Sequence, residues 1–101
     1  MSIPKYWLED HDAPFAALLR VVHTQCHPES YDDAYEDLIE WAHDPEVAER
    51  LAAFKEQLRA ALRDPSQVPA GALWTAAQYD DGNDQAFLER LWRDLYGGEV
   101  P

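Results

Sequence analysis

Residues 44–65 read DPEVAERLAAFKEQLRAALRDP, and this stretch decides the fold class. Asp44 offers an N-cap side chain, and Pro45 suits the first helical position, where a missing N–H costs no hydrogen bond. Val47, Leu51, Phe54, Leu58, Ala61 and Leu62 then recur three and four apart, the spacing that lines up one face of an α-helix. Arg59 and Arg63 fall near the negative end of the helix macrodipole, and Asp64-Pro65 ends the run. The expectation is one helix from Pro45 to Arg63 with an apolar stripe that needs a partner face.

The flanking sequence supplies such faces. Upstream, Ser30 with Asp33 three residues later resembles a capping box with Asp in place of Glu, opening the stretch Tyr31, Ala34, Tyr35, Leu38, Ile39 and Ala42 that stops near His43. Further upstream, Asp12 and Pro14 mark a helix start. Phe15, Leu18, Leu19, Val22 and Cys26 share one face of a helix expected over 13–26, which His27-Pro28 terminates. Downstream, Ser66 to Gly71 reads as a connector, and Ala72 to Tyr79 reads as a short helix, with a strand the alternative. Asp80-Asp81-Gly82-Asn83 is a turn, and Asp84 is the expected N-cap of a last helix whose face is Phe87, Leu88, Leu91, Trp92 and Leu95; Gly97 caps its end. The fold expected is all-α, a compact bundle of four to five short helices forming a single domain over 1–101, with 1–11 a loose N-terminal segment. Phe15, Leu18, Leu19, Val22, Leu38, Leu51, Phe54, Leu58, Leu91 and Leu95 are expected in one core.

Composition agrees with one domain. A chain of 101 residues cannot be split into two pieces that each bury an adequate core. Hydrophobic residues make up 47% and include four Trp, five Tyr and three Phe, enough apolar area to offset the ordering entropy, which excludes wholesale disorder. The single cysteine, Cys26, cannot form an intramolecular disulfide, and MSIPKYWLEDHD lacks a basic leader with an apolar core, so the cytoplasm is the expected compartment. The longest apolar run, Ala13 to Leu19, falls far short of the roughly 20 residues that span a bilayer.

Twenty acidic residues against eight basic ones give a net charge of -12, which repels nucleic acid and anionic lipid and attracts a basic partner. The distribution is more informative than the total. No Lys or Arg lies between Arg20 and Arg50, while Glu29, Asp32, Asp33, Glu36, Asp37, Glu40, Asp44, Glu46 and Glu49 all do. Asp32, Glu36 and Glu40 are spaced by four, as are Asp33 and Asp37, so like charges stack at a cost of a few tenths of about 1 kcal/mol per pair. A surface needed only for solubility would intersperse cations. Trp41 follows Glu40 at the margin of the apolar stripe, where an aromatic suits a binding anchor or the edge of the core. The expected partner-binding residues are therefore Asp33, Glu36, Asp37, Glu40, Trp41 and Asp44, with Asp80, Asp81 and Asp84 as a second acidic cluster.

Catalytic and metal chemistry find little footing, and neither cofactor nor metal is expected. His23 and His27 are four apart on one helical face beside Cys26, but a structural zinc site wants four ligands, and His11 and His43 belong to other segments. The turn Asp80 to Asp84 with Glu89 beyond it departs from a calcium loop, because its glycine comes too early. Ser2, Thr24, Ser30, Ser66 and Thr75 include no nucleophile in a glycine-rich elbow, and four glycines provide no phosphate cradle.

A small acidic helical chain with the early segment FAALLRVVH (15–23), the middle segment YDDAYEDLIEW (31–41), and a late acidic turn leading into AFLERLWRDLYG (86–97) resembles the immunity proteins of contact-dependent growth inhibition systems. The resemblance implies a cytoplasmic, non-enzymatic protein that binds the toxic C-terminal domain of a delivered effector, often a nuclease, and occludes its active site. The residues point the same way independently, since a site that holds phosphate is cationic and its inhibitor should be acidic and aromatic. The alternatives are an acidic adaptor or regulatory module with a different protein partner, and a small enzyme using carboxylates.

Overall fold

Helix accounts for every regular element in the structure, a computed structural model that describes residues 12–27, 29, 33–69, 71–97 and 99–101. The elements are α1 (Ala16–Gln25), α2 (Ala34–His43), the single turn α3 (Pro45–Ala48), α4 (Ala52–Arg63), α5 (Ala72–Ala77) and α6 (Asp84–Tyr96), with 3₁₀ turns at Glu49–Leu51 and Pro65–Gln67. No strand occurs among the described residues, so 72–77 is helix. The α-carbon radius of gyration is 12.7 Å, close to the roughly 13 Å of a globular chain of this length.

The amphipathic stripes meet in one core. Leu18, Leu19 and Val22 from α1, Leu38 from α2, Phe54 and Leu58 from α4, Leu73 from α5, and Phe87, Leu91 and Leu95 from α6 are buried together. α1 packs chiefly on α5 and α4, while α2 packs on α6 and α1. Phe15, expected in the core, is half-buried and packs against its edge. Polar ties join α1 to its neighbours: the Leu18 amide donates to Gln57 Oε1 at 2.9 Å, buried Gln25 Nε2 donates to the Ala34 carbonyl at 2.6 Å, and His23 Nδ1 lies 3.3 Å from the Ala76 carbonyl. Gln25, the one buried polar side chain among the described residues, is thereby satisfied.

Four local expectations are corrected. α1 begins at Ala16 rather than Ala13, because residues 13–16 close a turn (Ala16 amide to Ala13 carbonyl, 3.0 Å) and Phe15 is left-handed at φ 62°, ψ 18°. α2 begins at Ala34 with Asp33 at its N-cap and no side-chain cap bond; Ser30, the other half of the supposed capping box, lies outside the described residues. The helix expected from Pro45 to Arg63 is interrupted by a 3₁₀ turn at Glu49–Leu51, and the α3 turn ahead of it buries no residue. The cap of α6 is Asn83, whose side chain accepts from the Ala86 amide at 2.8 Å, and not Asp84, whose carboxylate is taken by the Tyr79 hydroxyl.

Asp44 caps α3 as expected, accepting from the Glu46 amide at 3.0 Å. Gly97 stands at the C-cap of α6 in right-handed geometry (φ -36°, ψ -40°), so it is not there for left-handed freedom. A Cβ at this position would lie 2.7 Å from the Arg93 carbonyl oxygen, which is the reason for a glycine. Gly82, at φ 99°, is the position in the 80–83 turn that requires one.

Candidate functional site

α2 turns two different faces outward and inward. Its inner face is Ala34 and Leu38, buried against α1 and α6. Tyr35, half-buried, donates its hydroxyl to Asp94 Oδ2 of α6 at 2.6 Å, and the Arg90 guanidinium lies 5.5 Å from the Tyr35 ring centroid. Burial, with the Asp94 hydrogen bond adding to it, pushes the Tyr35 hydroxyl well above the usual tyrosine range. These contacts fix the rotation of α2 and therefore what it shows to solvent.

On the outer face Asp33, Glu36, Glu40 and Asp44 are exposed and Asp37 is half-buried. Asp33, Glu36, Asp37, Ile39 and Glu40 line one shallow surface depression, so the sequence cluster is a spatial cluster as well. Asp33, Glu36 and Glu40 have no ion pair among the described residues. Glu36 and Asp37 sit in the first turn, where the macrodipole favours a carboxylate; Glu40 lies beyond that turn and gains nothing from it. Asp44 has structural work at the α3 cap in addition to its exposure.

The second acidic cluster is built differently. Asp81 receives a two-pronged hydrogen bond from Arg90, with Nε to Oδ2 at 2.7 Å and Nη2 to Oδ1 at 2.9 Å, and this holds its carboxyl below the usual range. Asp84 accepts from Tyr79, whose ring stacks on Phe87 at 4.8 Å between centroids and 10° between planes. Of the three, Asp80 alone is exposed. The structure thus keeps Asp33, Glu36, Asp37 and Glu40 together as an outward surface and ties Asp81 and Asp84 into the fold of the turn.

Trp41 is 36% exposed at the margin of α2. It lines a groove of about 420 Å³ between α1, α2 and α4, over a floor of Val21, Leu38, Leu51 and Phe54. Arg20 and Arg50 line the same groove, and neither has an ion pair among the described residues. These two arginines went unassigned in the sequence reading, although they bound the cation-free interval; bringing them to one groove requires the packing of α1 against α4. Trp74 on α5 is more exposed than Trp41, at 52%, and the apolar character of 72–79 concealed it.

Reactive groups are scarce among the described residues. Burial raises the Cys26 thiol to about 12, which makes it a poor nucleophile or metal ligand. His23 and His27 meet edge to face at 5.7 Å between centroids, and no group of three or more metal-ligating side chains converges among the described residues. Among the described residues the carboxylates with a shifted pKa, Asp64, Asp81 and Glu99, are all held below the usual range, by hydrogen bonds from Ser66, Arg90 and Lys55 respectively, the opposite of what a general acid needs. A second concavity, near His43 and Tyr96, has Lys55 inside it already paired with Glu99 at 2.6 Å and seated 4.7 Å from the Tyr96 ring centroid. No helix of the described residues is long and apolar enough to cross a membrane.

Compared with protein-family models, with curated proteins and with solved structures, the chain matches none.

Proposed function

We propose that the protein is a binding module whose α2 face engages a basic protein domain, and that it serves as a cytoplasmic immunity protein occluding the active site of a toxic domain such as a nuclease. The observation that carries this reading is the contrast in carboxylate use. Asp33, Glu36 and Glu40 stand exposed without an ion pair among the described residues, although stacking like charges on one helix lowers its stability. Acid retained at a cost to the fold is explained by a partner that neutralises it. The sequence resemblance to contact-dependent immunity proteins supplies the toxin class.

The test is co-expression with a candidate basic toxin domain, read as cell survival, together with association kinetics of the purified pair. Charge reversal of Glu36, Asp37 and Glu40 to Lys should slow association markedly at low salt. The difference should shrink at 1 M salt, where the Debye length is about 3 Å. Full protection and unchanged association rates in the variant would overturn the reading.

A further inference from the structure

If α2 engages a basic partner, the groove beside it specifies what else that partner carries, and the inference rests on that reading. Trp41 follows Leu38 by three residues and Asp37 by four. At helical spacing this puts Trp41 between the buried side of α2 and its acidic side. The apolar groove and the carboxylate face are therefore one continuous surface with Trp41 at the join. The other edges of the groove carry the opposite sign, Arg20 from α1 and Arg50 from the turn before α4. Of the four arginines without an ion pair among the described residues, Arg20, Arg50, Arg63 and Arg93, the first two line this groove.

We propose that the groove receives an apolar anchor residue projected by an amphipathic helix of the partner. Lys or Arg on one flank of that helix lies over Asp33, Asp37 and Glu40, and a carboxylate on its other flank meets Arg20 and Arg50. Three features of the groove select this occupant. Its apolar floor of Val21, Leu38, Leu51 and Phe54 favours an aliphatic or aromatic side chain, and its volume of about 420 Å³ accommodates such an anchor with its neighbours. Edges of opposite sign favour a helix whose flanks differ in charge over one that is basic all round. The anchor explains why an acidic surface would hold an aromatic at its margin.

The probe is a labelled helical peptide with Leu at i, i+3, i+4 and i+7, Lys along one flank and Glu along the other, followed by fluorescence anisotropy. Ala53 is exposed on α4 and lines the groove, so Ala53→Trp fills it without touching the core; Ala53→Glu is the second block should Trp disturb α4. Filling the groove should weaken binding by about 10-fold or more at both low and high salt, a loss of roughly 1.4 kcal/mol. Reversing Glu36, Asp37 and Glu40 to Lys should weaken it mainly at low salt. Reversing Arg20 and Arg50 to Glu should weaken the Lys/Glu peptide and strengthen one with Lys on both flanks. Loss on charge reversal with no effect of either Ala53 variant overturns the groove and leaves the α2 reading standing. Loss on groove filling with no effect of charge reversal at low salt overturns the α2 reading. A peptide that fails to bind the parent protein overturns the anchor.

Discussion

In the segment from Asp80 to Asp94 three carboxylates are tied into the fold: Asp81 takes Arg90, Asp84 takes Tyr79, and Asp94 takes Tyr35 from the neighbouring helix. On α2 the same residue types face solvent, and Asp33, Glu36 and Glu40 find no cation among the described residues. The difference arises from what packs opposite. The turn before α6 folds back on its own helix and brings Asp81 to Arg90, nine residues on, whereas on the outer face of α2 Asp33, Glu36 and Glu40 stay exposed with no ion pair among the described residues. An acidic cluster in a sequence is therefore a structural feature in one place and a free surface in another, and only its tertiary surroundings distinguish them.

The largest effect should come from the inner side of α2. Leu38 is fully buried beneath the acidic face, so Leu38→Ala should cost about 2–5 kcal/mol in denaturant unfolding. A negligible loss would mean that α2 is not anchored by this side. Arg90→Ala removes the ion pair to Asp81 and the contacts with the rings of Tyr35 and Phe87, each 5.5 Å away. The Arg90 side chain is 36% exposed, so solvent screening limits the cost to about 1–2 kcal/mol.

The same pair gives a pH signature. The hydrogen bond from Arg90 lowers the folded-state pKa of Asp81, so the stabilisation is present above the ordinary carboxyl value of about 4 and is lost as pH falls through the lowered one. Unfolding free energies of parent and Arg90→Ala should therefore converge in acid; a gap constant with pH would contradict the pairing. Asn83→Ala should cost about 1 kcal/mol by removing the α6 cap, while Asp84→Asn leaves that cap intact. No loss on Asn83→Ala would contradict that cap.

Much of this comparison was legible beforehand. The three-and-four spacing gave the core, and the cation-free interval gave the acidic face. The misses have physical causes. Pro14 looked like a first-turn proline, but a left-handed Phe15 delays α1 to Ala16, and side-chain chemistry carries no mark of that conformation. Asp84 and Asn83 are both good caps in sequence; the choice is made by Tyr79, which occupies the Asp84 carboxylate. The stripe from Val47 to Leu62 hid the 3₁₀ turn at Glu49–Leu51, because periodicity reports a face and not the local helix type. Asp81 looked as available as Glu40, since its engagement depends on a contact with Arg90 across the turn.

The most direct measurement is the denaturant midpoint of Glu40→Lys, which lies beyond the first turn of α2 where the macrodipole would penalise a cation, set beside Asp81→Asn. If the α2 acids are surplus to folding, reversal at Glu40 should leave stability unchanged or raise it by a few tenths of about 1 kcal/mol as like-charge repulsion is relieved, while Asp81→Asn lowers it. A loss on α2 reversal as large as that at Asp81 would show that the acidic helix is held in place by its own charges, and would contradict its assignment as a face kept for a partner.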